Sequence, residues 1–256
     1  MPEGLSSVDV YVQAARGAHS DGAGMTLVEH LAELRRRIII SVLALALGVV
    51  VGFYYSSPMV QFLLRLPGEL VYLYPGEAFF VHLEVALVVG IVLSSPVVLY
   101  QVVRFIAPGL LAQEKRILQV GLPAALLMFA GGTVFAYQVI LPLAYRFFLG
   151  FGTESLTPMI SIGNYVSFVI RLVLPFGLVF QLPLIVLLFT SIGILSPEIL
   201  VKYRKYIVLV VFITAAVLTP PDVISQTFMA VPMVLLYEVS ILLARMVVRR
   251  RKARRG

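Results

Sequence analysis

Glu114 sets one carboxylate among Arg104, Lys115 and Arg116, in the stretch YQVVRFIAPGLLAQEKR from Tyr100 to Arg116. Phe105 supplies an aromatic ring close by, and Pro108-Gly109 stops the preceding helix. An acid beside an aromatic face, on an otherwise basic surface, suits a ligand carrying guanidinium groups. The carboxylate takes charge-assisted hydrogen bonds and the ring takes the guanidinium plane. The residues alone leave a second reading open, a solvated loop acid paired with Lys115 or Arg116, because surface ion pairs are common and weak. No bond-making chemistry competes with binding. There is no pair of carboxylates, no serine at a useful helical spacing from a lysine or histidine, and no HExxH or GxxxxGK motif. Cysteine is absent, and His19, His30 and His82 lack metal-ligand spacing. The expectation is a chain with no catalytic residues, no metal and no cofactor.

The elements that must position these residues follow from composition. Sixty per cent of the 256 residues are hydrophobic, 13% are charged, and the mean hydropathy is +1.00. A soluble domain is nearer a quarter charged. Apolar runs predict an all-α polytopic membrane protein, a bundle of six transmembrane helices near Ile38–Tyr55, Phe79–Val102, Ile117–Tyr145, Tyr165–Ser191, Tyr206–Leu218 and Val223–Leu243. On this reading Tyr100–Arg116 is a loop at one bilayer surface. The fifth run is short: its 13 positions cover roughly 20 Å, against a hydrocarbon core near 30 Å. Only TPPD, Thr219 to Asp222, separates it from the sixth, which predicts a tight hairpin. One kinked helix over Tyr206–Leu243 is disfavoured by the two prolines and the acid.

Residues 1–24 are polar and Gly/Ala-rich, read as a disordered extension. Met25 opens the patterned region and is an alternative start to Met1. Thr26 and Glu29 fit a capping box. Leu27, Leu31 and Leu34, interleaved with Glu33, Arg35, Arg36 and Arg37, predict a short amphipathic helix on the membrane that runs into the first span. Residues 25–245 form the transmembrane domain and 246–256 a basic tail. With six spans, 17 of the 20 Lys and Arg residues fall on the side of the termini. The positive-inside rule places both termini and Tyr100–Arg116 in the cytoplasm. The same distribution explains the net charge of +7 by topology and contact with anionic lipids rather than nucleic acid.

Polar groups within spans are costly and are candidates for function. Glu84 and Arg171 lie at similar depth, as an ion pair or as two snorkelling side chains, with a structural role favoured. Gln181 sits two residues before Pro183, either joining helices or docking a partner. Glu238 has Arg245 seven residues on, on the same face. Gln226 and Thr227 stand near the outer end beside Asp222.

Five stretches in order resemble TatC, the polytopic core of the twin-arginine protein translocase. They are HLAELRRR (His30 to Arg37), SSPVVLYQVVRFIAPGLLAQEKR (Ser94 to Arg116), FGLVFQLP (Phe176 to Pro183), SPEILVKYRKY (Ser196 to Tyr206) and LTPPDVISQTFMAVPMVLLYE (Leu218 to Glu238). The resemblance implies a receptor in the cytoplasmic (inner) membrane that captures folded proteins by a signal peptide with consecutive arginines. It also implies small single-span partners, TatA- and TatB-like, and self-association in the complex. It assigns signal-peptide binding to Glu33, Arg35, Arg37, Phe105, Pro108 and Glu114. Partner docking or an intramembrane polar role falls to Gln181, Thr219, Asp222, Gln226 and Glu238. Many family members carry Glu where this chain has Gln181; an amide does not ionise, so the resemblance implies hydrogen bonding to a helix at that site. The alternative is a secondary transporter or channel for a small solute using Glu84, Arg171 and Gln181. No internal repeat or paired short segments support it. An intramembrane enzyme lacks a nucleophile–base set.

Overall fold

The computed structural model describes residues 27–64, 70–106, 112–151, 159–218 and 222–253. The described chain is almost entirely helical. In order it forms α1 (Leu27–Tyr54), α2 (Ser56–Leu63), β1 (Leu70–Val71), α3 (Glu77–Ile106) and α4 (Ala112–Phe135). A π-helical turn (Ala136–Ile140) leads into α5 (Leu141–Leu149). Then come β2 (Ile160–Ser161), α6 (Ile162–Val179), α7 (Leu182–Ile192), α8 (Pro197–Leu218) and α9 (Val223–Ala253). Among the described residues, five segments are long and apolar enough to cross a membrane: Val28–Tyr54, Glu77–Phe105, Gly121–Leu149, Ile162–Ile192 and Val223–Arg249. The predicted third span is thus α4, the π turn and α5 end to end, and the fourth is α6 with α7.

Prolines explain where the long helices are interrupted and where they are not. Pro142 lacks an N–H and would clash with the carbonyl four residues back. The wider π turn just before it, at Ala136–Ile140, makes room. Pro183 sits in the first turn of α7, where a missing N–H costs nothing, and the helix breaks at Phe180-Gln181. Pro96 does not break α3, because the Ser95 hydroxyl donates to the Val92 carbonyl at 2.7 Å, the acceptor that Pro96 leaves unused. Gly193, at φ 90°, closes α7 with its N–H and that of Ile194 on Phe189 O.

Three expectations about helix length change. Leu27–Tyr54 is a single helix, so the arginine-rich segment is its first turns and not a separate surface helix. Most of Tyr100–Arg116 is helical rather than loop. Tyr100–Ile106 ends α3, Ala112–Arg116 begins α4, and 107–111 lie outside the described residues. Backbone groups near a bilayer surface are best satisfied within a helix, so the helices run on past their apolar parts. For the same reason α8 is 22 residues long and includes PEILVKYRK, while its apolar part is the short run from Tyr206 to Leu218.

The ends of the bundle differ. One gathers the start of α1, the end of α3, the start of α8 and the end of α9, and with them Arg35, Arg37, Arg104, Lys202 and Arg249; it is called here the basic end. At the other, β1 pairs parallel with β2, Leu70 opposite Ile160 and Val71 opposite Ser161. Glu77 locks that pair: its carboxylate accepts from the Ser161 hydroxyl, from Gly163 N at 2.8 Å and from Leu73 N at 2.5 Å. The main core lies between α3, α6, the π turn, α5, α8 and α9, with Val81, Val85, Leu141, Val166, Phe176, Met229 and Met233 at most 2% exposed. A second cluster, Val186, Leu200, Tyr237, Ile241 and Ala244, joins α7, α8 and α9.

Candidate functional site at the basic end

The start of α1 and the end of α3 are brought together by small residues. A Cβ on Gly48 would lie 2.7 Å from the Gly90 carbonyl oxygen, and one on Gly90 would lie 2.7 Å from Val49 N. Gly52 packs as closely on Ala86. The backbones of α1 and α3 therefore touch, as small residues four apart allow between apolar helices. The spacing Gly48-x-x-x-Gly52 is a sequence signal that an inspection of polar residues passes over.

This contact sets two pairs of side chains side by side at the basic end. Arg37 Nε donates to Glu33 Oε1 at 3.1 Å, and Nη2 reaches the same oxygen. Arg37 Nη1 donates to Gln101 Oε1 at 2.8 Å, from α1 to α3. The guanidinium fork thus ties the two helices through groups of which Gln101 is only 8% exposed. His30 stacks on Phe105, centroids 4.4 Å apart and rings 23° from parallel. Glu33 Oε2 is buried with no hydrogen-bond partner among the described residues. A half-satisfied buried carboxylate is costly, and a cationic donor relieves the cost.

Running from this cluster between α1 and α3 is a groove of about 490 Å³, walled by Leu34, Ile38, Leu45, Val98 and Phe105, with Arg37 and Gln101 at its polar edge. Its walls suit an apolar segment continuous with a cationic group bound at Glu33.

Of the residues expected to bind a signal peptide, Glu33, Arg37 and Phe105 meet here. Arg35 is exposed on α1. Glu114 stands in the first turn of α4, where the helix dipole favours a carboxylate, and only its backbone is described. Pro108 lies outside the described residues, as does Thr219. Gln101 and His30 were missed as site residues. The available signal was spacing: Gln101 is one helical turn before Phe105, and His30 one turn before Glu33.

The polar residues within the bundle are engaged internally. Gln181, 8% exposed at the α6–α7 break, donates through Nε2 to the Ala125 carbonyl of α4 at 3.1 Å, so of its two readings helix joining is realised within the chain. Asp222 caps α9, Oδ1 accepting from Ser225 N at 2.7 Å. Gln226 Nε2 donates to Phe212 O of α8 at 3.0 Å and closes the α8–α9 hairpin. Two residues whose partners the sequence left open find them on a neighbouring helix. Glu238 pairs with Arg204 of α8 at 2.7 Å, with no ion pair to Arg245 among the described residues, because the antiparallel hairpin brings α8 closer than two turns of its own helix. Glu84 accepts from the Ser167 hydroxyl at 2.9 Å, with no ion pair to Arg171 among the described residues; α6 offers Ser167 to α3 and leaves Arg171 exposed.

Comparison with known proteins agrees in sequence and in fold. The family model for Sec-independent protein translocase protein (TatC) matches residues 29–232. The chain is 45% identical over 228 residues to the Sec-independent protein translocase protein TatC of Carboxydothermus hydrogenoformans, covering 87% of this chain and 94% of that protein. It is 40% identical over 237 residues to the TatC of Aquifex aeolicus, covering 89% and 98%. A crystal structure of the twin-arginine translocase receptor TatC superposes with a TM-score of 0.80 at 39% identity, over 86% of this chain and all of that one. Clustered acid and arginine, helix order and overall match converge: the chain is a multi-pass membrane protein that belongs to the TatC family.

Proposed function

We propose that this chain is the receptor and core subunit of a twin-arginine translocase, capturing signal peptides at its basic end. The observation that carries the reading is Glu33. One of its oxygens is held by Arg37 and the other is buried without a partner among the described residues, beside the Phe105–His30 stack. A peptide guanidinium completes that carboxylate with charge-assisted hydrogen bonds and lies against the aromatic faces, which a lysine ammonium does less well. Arg37 then acts by aiming Glu33, since its like charge would repel the peptide's arginines. Glu114 supplies the second carboxylate, Arg35 stands exposed on α1, and Pro108 belongs to the same recognition segment by its match to the family motif. The peptide's apolar segment follows the groove between α1 and α3.

The remaining features fit the same function. The Lys and Arg distribution supports a cytoplasmic membrane location with both termini in the cytoplasm. Small single-span subunits of the TatA and TatB kind dock by the α8–α9 hairpin, near Thr219, Asp222 and Gln226, while Gln181 holds the α6–α7 break against α4. The work is binding and recruitment of folded cargo, without enzymatic chemistry.

The test is photocrosslinking of a twin-arginine signal peptide to the purified protein in lipid, with a twin-lysine peptide as control. Selective capture near Glu33 and Glu114, lost in Glu114→Ala, is the expected result. Equal capture of both peptides by the wild type, or undiminished capture by Glu114→Ala, would refute the assignment.

A further inference from the structure

At the basic end a second cleft, of about 580 Å³, opens between the first turns of α8 and the last turns of α9. Lys202 enters it from α8, Arg245 and Arg249 from α9, with Glu198 as the one acid and Val201 and Val248 as apolar walls. Arg245 and Arg249 are four residues apart on one helix, a spacing at which like charges destabilise. Lys202 faces them from the other helix, and among the described residues none of the three forms an ion pair. The α8 N-terminus, at Pro197, adds its partial positive charge to the same space. Three cations and a helix dipole against one carboxylate leave an uncompensated positive charge that calls for an anion.

The surroundings say which anion. Lys202 lies 5.9 Å from the Tyr203 ring and Lys205 lies 5.1 Å from the Tyr206 ring, an alternation of cation and tyrosine typical of the headgroup level of a bilayer. The apolar part of α8 begins just beyond, at Tyr206. Val201 and Val248 make the cleft apolar on the walls, a feature of no use to a free inorganic ion. We propose that the α8–α9 cleft holds the phosphate headgroup of an anionic phospholipid, with Lys202, Arg245 and Arg249 on the phosphate and an acyl chain descending past Val201 and Val248. The site is separate from Glu33 and does not depend on how signal peptides are bound.

The full-length protein in phosphatidylcholine nanodiscs, titrated with a photoreactive phosphatidylglycerol, tests this. Neutralising the cleft (Lys202→Gln, Arg245→Gln, Arg249→Gln) is expected to weaken capture about a hundredfold. Neutralising the five basic residues of the tail from Arg250 to Arg255 leaves capture near the cleft in place. If the triple variant does not fold, Arg249→Gln alone serves, with an expected loss of about fivefold. Capture unchanged by the cleft variants, or lost only in the tail variant, overturns the proposal. So does equal competition by millimolar inorganic phosphate, which would make the site a general phosphate site. Twin-arginine peptide capture, measured on the same samples, keeps failure of this site distinct from failure at Glu33.

Discussion

Glu33 is where one residue's chemistry decides most. Its carboxylate is aimed by Arg37, and Arg37 in turn is fixed by Gln101 on another helix. Glu33→Gln keeps the shape and removes the charge. It is expected to cost about 1.5–3 kcal/mol of twin-arginine peptide affinity, tenfold or more, with little change for a twin-lysine peptide; fluorescence titration measures both. The Arg204–Glu238 pair illustrates the opposite case. Its side chains are 55% and 31% exposed, so water screens the attraction. Arg204→Ala is expected to change stability by under about 1 kcal/mol. Tyr237→Phe, which removes a buried 2.7 Å bond to the Leu200 carbonyl, costs about as much or more despite carrying no charge. Thermal unfolding in detergent ranks the two.

At the scale of elements, the pairing of α1 with α3 is what builds the site. α1 has only 11% of its apolar window buried, so its hold on the bundle rests on that one contact face. Gly48→Leu forces a side chain against the Gly90 backbone and is expected to cost about 1–3 kcal/mol. It should also abolish twin-arginine capture, although Gly48 lies three turns of α1 from Arg37. Gly131, which has open space where a Cβ would stand, is the control: Gly131→Leu leaves both readouts near wild type. Loss of capture in both variants would show that apolar bulk, rather than the α1–α3 approach, is at fault.

For the whole molecule, the mismatch between α8 and its neighbours matters most. Its helix has 22 residues, but its apolar part is only the run from Tyr206 to Leu218, so the lipid against it must thin or the helix must sink. Inserting four residues within 206–218 is expected to reduce export of a folded reporter in cells while leaving signal-peptide capture intact. Full export after the insertion would show that thinning at α8 has no part in transport. The β1–β2 pair and Glu77 brace the opposite end, so that the basic end is free to present its side chains on helix termini.

Much of this was legible in the chain itself. Apolar runs fix the helices, because a backbone in lipid has no other way to satisfy its polar groups. HLAELRRR carries Glu33 and Arg37, and FIAPGLLAQEKR carries the Phe105 that the structure sets beside them, while Pro183 singled out the weak point of the ladder near Gln181. What the chain could not decide is which partner each polar side chain takes. Glu33 reaches Gln101 through Arg37, Glu238 takes Arg204, Glu84 takes Ser167 and Gln181 takes Ala125. Each of these contacts crosses between helices, and its partner depends on how the helices cross and rotate. That geometry is set by close packing of small and apolar side chains over the whole bundle, and only the tertiary structure carries it.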